Sequence, residues 1–170
     1  MSLKFFRSLR VKANSCILHQ VPVMIQPKTW ACWYTSMQMV VAYFRRPHVN
    51  GPRLIDPSED SEASQIFKSN QGIGNTPDER ERIAKRLGFS VGYISMSSDG
   101  LWGLLRKGPV IYAGQWPGQM SGHWVVITGI SEDLIAINNP AVGAQTWDYG
   151  HFAGKYLLQT ADRPLVYVDY

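Results

Sequence analysis

Cys32 is followed by the run Trp33-Tyr34-Thr35-Ser36-Met37 and stands three residues after Thr29, a residue type that caps helices. A thiolate is the nucleophilic form of cysteine, and the free N–H groups and positive dipole end of a helix favour it. His123 begins the run His-Trp-Val-Val-Ile-Thr-Gly-Ile, behind Met120-Ser121-Gly122. That places it at the start of a strand, on the lip of a sheet, where an imidazole can take the thiol proton and later return it to a leaving group. Asn139 closes the next apolar run, with Pro140 fixing the chain behind it. Its side-chain carbonyl can accept from the imidazole and hold the ring's tautomer and angle. Gln26, six residues before Cys32, carries an amide N–H that can face a developing oxyanion beside the backbone N–H of Cys32. Singly, these are a buried helix cysteine, a structural histidine, a turn asparagine and a surface glutamine. Together, in this order, they point to acyl transfer through a thiol.

Other residues weigh less. Cys16, in Cys-Ile-Leu, reads as a buried small hydrophobe. The histidines and cysteines show no HxxxH or CxxC spacing, so no zinc site is expected. Gly72-Ile73-Gly74 lacks the further glycine of a phosphate loop. Asp133 is a rival orienting acid but belongs to a hairpin turn at the far end from His123. Trp33 and Trp124 adjoin the nucleophile and the base, would dry a cleft and are read as substrate-binding. Trp116 and Gly122 belong to a glycine-rich loop over residues 115–122 that can face substrate.

The elements that must position these groups follow from periodicity. Over residues 30–46, Trp33, Met37, Val40, Val41 and Phe44 form the stripe of a buried helix face, with Thr29 as N-cap and Pro47 as stop. Residues 21–26 contain Pro22 and read as an edge strand or extended lead-in. A short polar helix is predicted over 58–69. Another opens at the capping box Thr76-Pro77-Asp78-Glu79 and ends at Gly88. A strand over 89–95 and a helix from Ser98 or Asp99 follow. Strands are then predicted over 110–115, 123–130, 134–138 and 165–170, the middle two as an antiparallel hairpin. Residues 147–158 are ambiguous, with a short helix around Phe152. Helices first and hairpins later give an α+β fold, an antiparallel sheet packed on a long central helix.

The pattern Gln26-(five residues)-Cys32-Trp33, Gly122-His123-Trp124 and Asn139-Pro140 resembles the papain-like cysteine peptidases. Thr29 and Trp30 stand where papain and the cathepsins have a disulfide cysteine and a glycine. The Cys-to-His interval of 91 residues is shorter than theirs. This compactness is similar to the bacterial branch of double-glycine peptidase domains and papain-like effector proteases. The resemblance covers residues 20–170. It implies a helical lobe carrying Cys32 and a twisted antiparallel lobe carrying His123 and Asn139. It also implies an acyl-thioenzyme mechanism on a protein substrate, with a narrow cleft preferring small residues before the scissile bond, no metal or organic cofactor, and, for an effector, a cognate immunity or inhibitor protein. An amidase, deamidase or acyltransferase would use the same triad, and a silent binding module is the third class.

The chain has 170 residues, 45% of them hydrophobic, enough for one folded domain. Its net charge of +4 sits in Lys4, Arg7, Arg10 and Lys12; thirteen basic and thirteen acidic residues remain from residue 13 onward. No basic stripe is left for nucleic acid. The reading is therefore a basic arm and lead-in over 1–19 and a single domain over 20–170. The arm lacks the apolar core of a signal peptide, and no run is long enough for a membrane span. The expectation is synthesis in the cytoplasm, with export by a specialised secretion system into a target cell as the fitting route.

Overall fold

A computed structural model of the chain describes residues 16–69, 72–73, 77–92, 98–115, 122–152 and 165–169. The basic arm, Thr76 of the capping box and Trp116 lie outside the described residues.

The chain enters through strand β1 (Cys16–Leu18) and reaches helix α1 (Cys32–Phe44) by an extended segment. Helices α2 (Ser61–Lys68) and α3 (Pro77–Arg86), strand β2 (Ser90–Gly92) and helix α4 (Ser98–Leu105) follow. The second half is strand-rich: β3 (Val110–Gln115), β4 (Gly122–Ser131), β5 (Leu134–Asn139), β6 (Gly143–Asp148), the short helix α5 (Tyr149–Phe152) and β7 (Leu165–Tyr167). All strand pairings are antiparallel. The sheet order is β2-β7-β3-β4-β5-β6, with β1 beside β4. This is the expected α+β architecture.

Both faces of the central strands are apolar, so each must be covered. Ile111, Ala113, Trp124, Val126 and Val166 pack toward α1 in one core. Val110, Tyr112, Val125, Ile127, Ile135 and Ile137 alternate with them and pack with Leu101, Leu104 and Leu105 of α4 and Phe152 of α5 in a second. The predicted α1 stripe is buried, but so are Tyr34, Thr35, Ser36 and Met39. The helix is buried on nearly all sides, because Tyr34 also stacks on Phe67 of α2, with ring centres 4.2 Å apart. Asp60 caps α2 by accepting from the N–H groups of Glu62 and Ala63, and Gly88, at φ +89°, ends α3.

Three details differ from the sequence reading, and one open alternative is decided. Thr29 does not cap α1: the N-cap is Ala31, without a side-chain hydrogen bond, because residues 28–31 first close a turn through Ala31 N–H and the Lys28 carbonyl. Cys16 is exposed, since β1 alternates and only Ile17 turns inward. Residues 21–26 form no strand, so of the two readings the extended lead-in is the one found. Strand β6 was not expected: its start precedes the ambiguous segment, and its polar composition lacks an apolar alternation.

Candidate active site

Cys32 is the first residue of α1, two positions nearer the helix end than a Thr29 cap would place it. The first-turn N–H groups of a helix have no intrahelical partner. The thiol lies among the backbone hydrogen-bonding groups of Trp124, Trp33 and Cys32 itself. Trp124 is the residue after His123, so the helix start and the strand start meet here. Ser36, one turn along α1, donates its hydroxyl to the Trp124 carbonyl at 3.2 Å and fastens the two elements.

His123 stands second in β4, paired with Gly114 of β3. Its Nε2 lies 2.9 Å from Asn139 Oδ1. The chemistry of this contact is fixed by a neighbour. The Ala141 main-chain N–H, which can only donate, points at the same Asn139 oxygen at 2.9 Å. The atom facing His123 is therefore the amide oxygen, so Nε2 carries the donated proton. In the neutral ring the basic atom is then Nδ1. Asn139 Nδ2 in turn donates to Gln145 Oε1 at 3.2 Å.

Cys32, His123 and Asn139 are 6, 6 and 4% exposed. Burial is the largest influence on both titrating groups. It pushes the Cys32 thiol above its ordinary value, against the backbone hydrogen bonds at Trp124, Trp33 and Cys32, which lower it. It holds His123 below the ordinary histidine value, against the Asn139 bond, which raises it. Burial thus favours the uncharged thiol and imidazole, opposing the thiolate that the helix end was expected to favour.

The lead-in is stitched to the end of β5. Asn138 Nδ2 donates to the Val21 carbonyl at 3.1 Å, and the Gln26 N–H donates to the Pro140 carbonyl at 2.8 Å. Gln26 is thereby held one residue from Asn139. Its Nε2 donates to the Thr29 carbonyl at 3.0 Å, which commits one of its two protons, and its Oε1 is buried without a partner among the described residues.

Of the residues read as substrate-facing, Trp33 and Trp124 are 1 and 5% exposed and belong to the α1 core. Both rings are buried in the core that α1 shares with the sheet. Gly122 is exposed at the start of β4. Gly114, opposite His123, has no side chain, and a Cβ there would collide with the hydroxyl end of Tyr112. That buried phenol therefore reaches along the sheet toward the position paired with His123. Neither Tyr112 nor Gln145 was singled out from sequence. The one available signal was the Gly114 gap in a β-branched strand. Asp133 lies in the turn at the other end of the β4–β5 hairpin, and its carbonyl accepts from Tyr149. Among the described residues, no group of metal-binding side chains is present and no helix is long and apolar enough to cross a membrane.

A helix that begins at a cysteine and packs on an antiparallel sheet is the arrangement that the resemblance to papain-like cysteine peptidases implies. Residues 15–153 match the family described as papain-like cysteine protease AvrRpt2, and the chain belongs to that family. No curated protein matches it. Its fold is similar to a C39-like peptidase from Bacillus anthracis, with 15% identity over 92% of this chain and 98% of that one and a TM-score of 0.61. It is also similar to the peptidase domain of Streptococcus ComA, a bifunctional ABC transporter of quorum sensing, with 18% identity over 86% and 98% of the two chains and a TM-score of 0.58. A double-glycine motif protease from an AMS/PCAT transporter, solved with its leader peptide, gives 18% identity over 89% and 94% and a TM-score of 0.55.

Proposed function

We propose that the chain is a cysteine endopeptidase in which Cys32, His123 and Asn139 form the catalytic triad. The supporting observation is the His123–Asn139 contact, with its donor and acceptor roles forced by the Ala141 N–H, beside a strand residue whose backbone meets the Cys32 thiol. His123 Nδ1 takes the thiol proton as Sγ attacks the scissile carbonyl. The oxyanion receives the Cys32 N–H and the second Nε2 proton of Gln26. The imidazolium passes its proton to the departing amine, the C–N bond breaks and a thioester remains. A water, losing its proton to His123, then hydrolyses that thioester and frees the thiol. Burial supports this concerted route, since neither charge is stable alone in the site.

The preferred substrate in this reading is a polypeptide with small residues, such as Gly-Gly, before the scissile bond. The fold shared with the double-glycine protease solved with its leader peptide supports it. The further reading is an exported effector that acts in a target cell, with a cognate immunity or inhibitor protein covering the cleft in the producer. It rests on the sequence resemblance.

The test is expression of wild type and Cys32→Ala in a bacterium, with growth and new protein N-termini compared. Wild type alone should slow growth and create new N-termini. Toxicity without new N-termini would move the reading to a deamidase or amidase. Equal toxicity of both forms would overturn the catalytic account.

A further inference from the structure

The Asn139 amide has a partner on each of its atoms, and one of them is a side chain with no other evident task. We propose that Gln145 is a positioning residue of the acyl-transfer site, anchoring the Asn139 amide that orients His123. This rests on the triad reading above. Asn139 Oδ1 is occupied twice, by His123 Nε2 and by the Ala141 N–H. Those two bonds share one end of the amide and leave the other end to swing. Gln145 Oε1 receives the Nδ2 proton at that other end, at 3.2 Å.

The sheet register explains why Gln145 reaches. Asn139 pairs with Gly143, and Ile137 pairs with Gln145. Gln145 is therefore the diagonal neighbour of Asn139 on the same face. Along β6, Ala144 and Thr146 are exposed while Gln145 is half-buried, as alternation requires. Gly143, at φ +96°, lets the chain turn from β5 into β6 at the Asn139 pair. A glutamine here spans the gap a shorter residue would leave. It touches none of the reacting atoms, so its influence passes through Asn139 to the angle of the ring. An interaction of this kind acts on the chemical step and leaves ground-state binding alone.

The experiment is hydrolysis of p-nitrophenyl acetate by the full chain, an ester that needs the nucleophile and base and no peptide subsite. Cys32→Ala supplies the background from the exposed Cys16. Gln145→Leu, which keeps the carbon chain out to Cδ and loses the acceptor oxygen, should lower kcat roughly three- to tenfold with KM unchanged. Gln145→Glu, which keeps an acceptor oxygen, should stay within about twofold of wild type. Adding Gln145→Leu to Asn139→Ala should cost nothing more, since both act on one contact. If Gln145→Leu does not fold by circular dichroism, Gln145→Asn, too short to reach, should show the same loss. Wild-type kcat in the Gln145 variants alongside loss in Asn139→Ala would overturn the role of Gln145 and leave the triad standing. Equal loss in Gln145→Leu and Gln145→Glu would also overturn it, as a packing effect. Wild-type kcat in Asn139→Ala would overturn the triad reading and this inference together.

Discussion

At the residue scale, the chemistry turns on two groups that burial keeps uncharged. In the proposed mechanism neutral His123 is the base, so activity is lost when the free enzyme's imidazole is protonated. Burial lowers that pKa, so the acid limb of kcat/KM should lie below the ordinary histidine value. Burial raises the Cys32 thiol, so the alkaline limb should lie above the ordinary cysteine value. The expected profile is a broad plateau across neutral pH; an acid limb at or above the ordinary histidine value would contradict it. The Asn139 bond raises the histidine. Asn139→Ala should therefore move the acid limb to lower pH while reducing kcat about tenfold or more, because the ring also loses its orientation. A pH–rate profile of the variant against wild type checks both signs.

At the element scale, the site exists because the start of α1 is pinned to the start of β4. The Ser36–Trp124 bond is buried and makes that join. Ser36→Ala leaves a buried carbonyl without its donor and should cost about 1–2 kcal/mol in urea unfolding. The same variant should slow Cys32 chemistry, which a Ser→Ala change on an outer helix face would not do. The elements that make this join were legible because their signals are local. The runs of β-branched residues in β3, β4 and β5 and the apolar stripe of α1 can be read within a dozen residues. What escaped depends on strand pairing and register, which the local pattern does not mark. Strand β1 is three residues long and exists only by pairing with β4. Strand β6 is a polar edge strand whose register, set by β5, is what turns Gln145 toward Asn139. The exposure of Cys16 follows from the pairing of β1, and the shift of the α1 start from Thr29 to Ala31 from the turn over residues 28–31. Cys32, His123, Asn139 and Gln26 were legible as types at spacings. The anchoring of Asn139 and the commitment of one Gln26 proton to Thr29 were not.

At the scale of the whole molecule, the chain belongs to a papain-like protease family, and in the proposed mechanism a helical half supplies the nucleophile and an antiparallel half the base. The charge excess sits in residues 1–12, outside the matched span of 15–153. Deleting residues 1–12 should leave Cys32 reactivity unchanged; a loss would show that the arm contributes to the site. The central claim is that the two halves bring Cys32 and His123 into one acid–base unit. Alkylation by limiting iodoacetamide at neutral pH, with adducts mapped by mass spectrometry, tests it in wild type and His123→Ala. Exposed Cys16 serves as the internal reference. Cys32 should react faster than Cys16 in wild type and slow by about tenfold or more in His123→Ala, as a buried thiol without its base, while Cys16 is unchanged. An equal Cys32 rate in the two proteins would contradict the account.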